Sequence, residues 1–301
     1  MQQSDRPGLL FALAGFCTLT IGDSIVKGID GAWAPTAIAA WRYGLGALGL
    51  TAILLMKEGV QPLRNIPNPG MQWLRGAGVG VATICFFASV WLMPLTEAIA
   101  LVFTQPMFTA ILAAVFLGEK LRWQTVAATL VAFVGVLIVL RPNFAEIGLA
   151  ALLPLGAAFG MSVLVTANRA VAGRGSALAM QAYVALFATV ILVAAMVLGH
   201  FSGLAQLEVH WPVWHIWARV AIIAVTASAA HWLIYMGTER AGAATVAPMT
   251  YGQLIAASLI GYFFFAEVPD LTAMAGAALI VMAGLWLWYE GRVRKGTKAP
   301  A

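Results

Sequence analysis

Apolar runs of about twenty residues, separated by short polar stretches, recur along the whole chain. Ten stand out, roughly 8–27, 33–56, 72–93, 95–117, 122–140, 147–168, 177–199, 213–236, 243–265 and 269–289. A helix rises ~1.5 Å per residue, so ~20 mostly apolar residues cross the ~30 Å hydrocarbon layer. The loops are short, and the longest, 200–212, has no room for a domain. The pattern predicts an all-α polytopic membrane protein of ten transmembrane helices.

Composition agrees. The 301 residues are 62% hydrophobic and 10% charged, and mean hydropathy is +0.90. Soluble domains carry ~25% charged residues, so a soluble fold is excluded. The net charge of +5 would suggest nucleic acid in a soluble protein. Here its distribution explains it, because cytoplasmic loops collect Lys and Arg. With the N-terminus inside, the inner side holds thirteen basic residues: Arg6, Lys57, Arg64, Arg75, Lys120, Arg122, Arg169, Arg174, Arg240, Arg292, Arg294, Lys295 and Lys298. The outer side holds three, Lys27, Arg141 and Arg219. Both termini are therefore expected in the cytoplasm, in a cell (inner) membrane, with 291–301 as a basic tail near anionic lipid. The first run has only Arg6 before it and runs too long for a signal-peptide core, so it reads as a helix and not as a signal peptide. Cys17 and Cys85 fall within predicted spans and give no disulfide framework.

The chain resembles itself at a spacing of 144 to 148 residues. Trp73-Leu74-Arg75 is echoed by Trp217-Ala218-Arg219. The stretch 103–121, with Gly118-Glu119, is echoed by 251–270, with Ala266-Glu267. This gives two five-span halves, 1–142 and 143–290. An odd number of spans makes the second half enter from the opposite side, an inverted repeat that places a substrate cavity centrally between halves. Pro94-Leu95-Thr96-Glu97-Ala98, Phe103-Thr104-Gln105-Pro106 and Leu117-Gly118-Glu119 resemble the EamA-type branch of the drug/metabolite transporter superfamily. Tyr251-Gly252-Gln253-Leu254, Phe265-Ala266-Glu267-Val268-Pro269 and Asp23-Ser24-Ile25-Val26-Lys27 are similar to further stretches of that family. The resemblance implies two inverted five-helix bundles around a central cavity, and export of amino acids or other small metabolites.

Ionisable side chains are costly in hydrocarbon and mark a pathway or a pair. Asp23 and Lys27, four apart, share one face of the first helix. They read equally as a polar gate or substrate contact and as an ion pair in which Lys27 reaches the interface. Arg42 lies ten residues into the second span and needs an anion. Asp23 is the expected structural partner, with Glu97 the other candidate. On the fourth span Glu97, Leu101, Thr104, Gln105 and Phe108 form a stripe, with Pro94 and Pro106 expected to bend the chain. This reads as a cavity wall lined by Glu97, Thr104 and Gln105, or as hydrogen-bonded helix contacts. The matching groups in the second half are His231, Trp232 and Tyr235 on the eighth span, beside Ser228, and Tyr251 and Gln253 on the ninth. His231 reads as a proton relay or as a neutral, hydrogen-bonded histidine. Trp91 and Trp232 are expected to line the cavity. Glu119 and Glu267 are expected to satisfy amide groups at helix ends.

No phosphate-binding Gly-x-x-x-x-Gly-Lys-Ser/Thr loop, hydrolase motif or metal-ligand cluster is present in the sequence, so no cofactor or metal is expected. The leading reading is a secondary transporter for a small metabolite, working by alternating access, with the lipid bilayer as its other partner. A membrane-embedded enzyme acting on a lipid or isoprenoid, and a channel, are the rivals. The charge count predicts that alkaline-phosphatase fusions after residues 64, 120, 174 and 240 are inactive, and that fusions within 200–212 are active. Activity at 174 would overturn the topology.

Overall fold

The structure, a computed structural model, describes residues 6–118, 123–171, 173–241, 246–268 and 270–297. Glu119 and residues 298–301 of the tail lie outside the described residues. Every regular element described is helical: α1 Arg6–Lys27, α2 Pro35–Glu58, the single turn α3 Gln61–Arg64, α4 Pro69–Leu92, α5 Leu95–Val102, α6 Gln105–Leu117, α7 Trp123–Ile147, α8 Leu153–Ala170, α9 Ala177–His200, α10 Trp214–Ala241, α11 Gly252–Phe265 and α12 Leu271–Thr297. Proline opens α2, α4, α6 and α8, where its missing N–H costs nothing and its fixed φ suits the first turn.

Among the described residues, eight helical segments are long and apolar enough to cross a membrane. The count of ten full-length spans is not met, for two physical reasons. The apolar stretch of α7, Val126–Arg141, is shorter than the rest. The ninth predicted span begins as a 3-10 turn, Ala247–Tyr251, around Pro248. That leaves α11 with 14 residues, about 21 Å at 1.5 Å per residue, short of the hydrocarbon thickness. The fourth predicted span is broken as its prolines suggest. It divides into α5 and α6 at Phe103–Thr104, with Pro106 in the first turn of α6.

Helices of the first half pack on helices of the second: α1 on α10, α2 on α9, α4 on α8, α7 on α12 and α5 on α11. Where α4 crosses α8 the backbones meet at Gly78 and Gly160, and a Cβ on Gly160 would lie 2.5 Å from the Gly78 carbonyl. Gly135 and Gly276 do the same for α7 and α12. In lipid, where apolar side chains gain little by leaving their surroundings, such close approach is a main source of helix attraction. The central apolar cluster runs through α1, α2, α4, α5, α9 and α10, from Val26 and Ile38 to Phe87, Leu101, Leu192 and Val220. Large apolar side chains such as Val115, Phe116 and Leu130 point outward, as a lipid-facing surface requires.

The 144-to-148 spacing reappears in the contacts. Trp73 on α4 meets Phe187 on α9 edge-to-face at 4.8 Å, and Trp217 on α10 meets Trp41 on α2 edge-to-face at 4.6 Å. Arg75 reaches Asn168 near the end of α8, and Arg219 reaches the Gly28 carbonyl just past the end of α1. Helices α6 and α11 close on the same left-handed cap, at Gly118 (φ 67) and Ala266 (φ 53), with the cap amide bonded to Ala113 and Gly261 respectively. An alanine accepts this region only at a cost of ~1–2 kcal/mol.

Gly160→Val is expected to lower the melting temperature in detergent sharply, since overpacking costs ~1–3 kcal/mol and a β-branched residue has no room to rotate away. Gly46→Val, which adds its side chain to open space, should change it little. Equal shifts would remove the close crossing as a source of stability.

Candidate functional site

At the end of α1, Lys27 is held from three sides. Its ammonium pairs with Glu267 Oε1 at 2.7 Å and donates to the carbonyls of Val90 (2.7 Å) and Met93 (3.0 Å), where α4 ends. Both charged side chains are largely buried, at 13% and 15% exposure. The other Glu267 oxygen accepts from the Leu95 amide at 3.0 Å, at the start of α5. A helix start carries unpaired N–H groups and partial positive charge, so the carboxylate meets both needs. Glu267 does satisfy helix-end amides, as expected, but those of a helix in the other half. Trp91 closes the same junction, its indole N–H donating to the Val26 carbonyl at 2.8 Å. Nearby Trp33 donates to His210 O and stacks edge-on with Trp217. This Lys27 end of the molecule is thus tied shut.

The opposite end has a separate cluster. Arg75, 3% exposed, bonds Asn168, Gln72 and the Met180 carbonyl, joining α4, α8 and α9. Tyr183 donates to Pro62 O at 2.6 Å.

Between the two ends α1, α2 and α10 enclose a crevice lined by Leu19, Gly22, Asp23, Arg42, Ile223, Thr226 and Ala227. It is narrow, with room for about one water molecule. Arg42 lies within electrostatic reach of both Asp23 and His231. The expected Asp23–Arg42 ion pair is not formed: among the described residues no N–O contact within 4 Å joins them. Arg42 instead lies over the rings of Tyr43 and Phe87, at 5.3 and 5.4 Å from their centres. Asp23 is likewise not paired with Lys27, whose partner is Glu267. Those two share a helix face, but Lys27 extends past the helix end toward denser acceptors.

On α10, Ser228 and His231 are three residues apart on one face, and His231 Nδ1 lies 2.6 Å from the Ala227 carbonyl. Trp232, 60% exposed, follows Ile222 and Val225 on the adjacent outward stripe, the side suited to lipid and not to the expected cavity. The Tyr235 side chain lies outside the described residues.

The α5–α6 break separates the expected stripe. Thr104, 5% exposed, spends its hydroxyl on Leu101 O. Gln105 is half-buried at the first turn of α6. Glu97, 6% exposed, borders a second cavity of about 220 Å³ with Thr96, Leu254, Ser258, Met274 and Val281, between α5, α11 and α12. Thr96 and Ser258 hydroxyls meet across it at 3.4 Å. Tyr251 packs edge-on against Phe103 at 5.1 Å, with its hydroxyl against Gly284, and Gln253 is half-buried near the start of α11. The structure therefore gathers Asp23 and Arg42 at one place, with His231 exposed one turn beyond Ala227 on α10, Glu97 at another, and Lys27 with Trp91 at a third. Glu267 as the partner of Lys27 was missed. The only sequence signal was its position after a repeated cap.

Packing of each half on the other, helix breaks near Pro106 and Pro248 and buried charge define a polytopic transporter fold. The EamA-like transporter family matches residues 6–141 and 148–289. The chain belongs to that family. It is 25% identical to the S-adenosylmethionine uptake transporter of Rickettsia prowazekii (strain Madrid E), covering 97% of this chain and 95% of the relative. It is 27% identical to the riboflavin transporter of Vibrio cholerae serotype O1, covering 96% and 95%. It is 25% identical to the pseudopaline exporter of Pseudomonas aeruginosa, covering 97% and 98%. A solved crystal structure superposes with TM-score 0.60 at 22% identity, covering 94% of this chain and 96% of that one, a likeness of fold.

Glu267→Gln is expected to lower the melting temperature by leaving the Lys27 cation in a largely buried setting, a loss of ~3–5 kcal/mol for a broken buried pair. Lys27→Met added to it should restore part of that loss, since glutamine still accepts from Leu95. Additive losses in a double-mutant cycle would show that the pair contributes nothing as a pair.

Proposed function

We propose that this chain is a secondary transporter of the cell (inner) membrane that carries a small metabolite by alternating access, with both termini cytoplasmic. Its two repeats, 1–142 and 143–290, are inverted and rock against each other. The observation that carries the reading is the pairing of contacts across the halves, Trp73–Phe187 with Trp41–Trp217 and Arg75–Asn168 with Arg219–Gly28. An inverted repeat exchanges these pairs between opposite ends of the molecule, so opening one end and closing the other are equivalent motions. The separate family matches over 6–141 and 148–289 support the same division. The Lys27–Glu267–Leu95 junction holds one end closed.

The relatives include both an uptake transporter and an exporter, so the proposal covers transport in either direction. Amino acid export is the narrower form of the proposal, and His231 beside Arg42 is its candidate proton relay. The path runs along the crevice faced by Asp23 and Arg42, with His231 one turn further along α10, and Gln105, Thr104, Gln253 and Tyr251 toward the broken helices. Against an enzyme stands the match of both halves to the EamA-like transporter family. Against a channel, both ends carry buried locks in place of a continuous pore.

Purified protein in liposomes should show saturable counterflow with one or more of labelled amino acids, S-adenosylmethionine and riboflavin, and leave each chemically unchanged. Non-saturating ion flux would make it a channel, and chemically altered product would make it an enzyme.

A further inference from the structure

Asp23 and Arg42 are opposite charges that face one crevice and bond neither to each other nor, among the described residues, to any other side chain within ion-pair distance. Every other strongly buried cation described here has partners. Lys27 has Glu267 and two carbonyls, and Arg75 has Asn168, Gln72 and the Met180 carbonyl. Arg42 is steadied instead by two aromatic faces. Ring contacts hold the guanidinium plane without using its five in-plane N–H donors. Asp23 sits four residues before Lys27 on α1 but its carboxylate receives none of the donors gathered at Lys27. The two groups also come from helices whose most extensive packing is on different partners, α1 on α10 and α2 on α9, so a shift of α1 with α10 against α2 changes the gap between them.

Resting on the transporter reading, we propose that Asp23 and Arg42 form a two-point site for a zwitterionic small molecule, Arg42 taking its carboxylate and Asp23 its ammonium group. The guanidinium offers the fork that matches a carboxylate, and Asp23 offers acceptors only, which suits an ammonium donor. Thr226 and the Ala227 segment form the α10 wall of the same site. The crevice widens to admit the ligand and closes on it, and the ligand supplies the bridge that the protein leaves unmade. A ligand with one charge satisfies one group and strands the other, so the site selects for both charges on one molecule.

Two measurements on the full chain in detergent decide this. In the first, Asp23→Asn and Arg42→Gln are melted without ligand. Asp23→Asn should leave the melting temperature unchanged or raise it, because its carboxylate has no hydrogen-bond or ion-pair partner among the described residues, and Arg42→Gln should lose no more than its two ring contacts. Losses in both single variants that the double variant recovers would make the two a structural pair, bridged through water, and overturn the proposal. In the second, wild type is titrated with a panel of free L-amino acids and with their N-acetyl and methyl-ester forms. A free amino acid should raise the melting temperature, and either blocked form should bind about tenfold more weakly or worse, the loss of one charged hydrogen bond. Asp23→Asn should abolish discrimination against the N-acetyl form alone, and Arg42→Gln against the ester alone. No stabilisation by any zwitterion, or equal stabilisation by the blocked forms, overturns the proposal. Saturable flux of another metabolite, indifferent to both substitutions, would overturn it while leaving the transporter intact. The binding pattern without flux in liposomes would keep the site and sink the transporter reading.

Discussion

The turn that joins α4 to α5 leaves the last carbonyls of one helix and the first amides of the next without helical partners, and the fold is arranged around meeting that need. Unsatisfied backbone groups cost several kcal/mol each in a bilayer, which is why spanning segments are normally unbroken helices. Here α5 starts at Leu95, a few residues after α4 ends at Leu92. Glu267 supplies the missing acceptor from the far half of the chain. Its charge then demands a cation, and Lys27 provides it while capturing the carbonyls left open at the end of α4. One ion pair thus settles donors and acceptors at the ends of three helices. It is strong because every member is satisfied, and losing any member strands the others.

The same requirement explains the swapped packing. If each half folded as its own bundle, every broken helix would have to cap itself. With α1 on α10 and α4 on α8, helix ends of one half meet polar groups of the other. Gly78 against Gly160 and Gly135 against Gly276 bring the backbones close enough for those reaches. Arg75 and Arg219 occupy corresponding places in the repeat and each fastens the terminus of a helix from the opposite half.

Much of this was legible in the sequence, because hydropathy reports solvent directly and lipid imposes a fixed length. The spans and the break near Pro106 follow from composition and proline alone. The repeated caps at Gly118 and Ala266 are visible as a repeat, although only coordinates show that Ala266 adopts the left-handed backbone usually reserved for glycine. The site was read less well, for three physical reasons. Helical spacing placed Asp23 with Lys27, but Lys27 stands at the last turn, where its long side chain is free to leave the helix face. Arg42 was assigned a carboxylate because counting charges overlooks aromatic rings as cation partners, and Tyr43 and Phe87 are those partners. The stripe from Glu97 to Gln105 assumed an unbroken 3.6-residue period, which the Phe103–Thr104 break resets.

The contrast between the two buried cations bears on how such a protein separates stability from movement. A cation at the centre of a bilayer costs at least ~2.5–3.5 kcal/mol even on lenient insertion scales. Lys27 stands at the end of α1, where that cost is smaller, and is held by a carboxylate and two carbonyls, a set that belongs to one closed arrangement of α1, α4 and the segment after α11. Arg42 meets it with ring faces, which are broad and tolerate sliding by an ångström or more without loss of contact. The first kind of partner defines a state, and the second permits motion between states. A helix interface that must shift cannot be built from short, directional ion pairs along its whole length, since each would have to break at once. In the proposed alternating-access cycle, directional bonds concentrated at the Lys27 end and aromatic surface under Arg42 would let α2 slide past α1 and α10 while the charge stays stabilised. The pairing left open between Asp23 and Arg42 is then a consequence of that division: a direct bond there would fix the one gap whose width has to change.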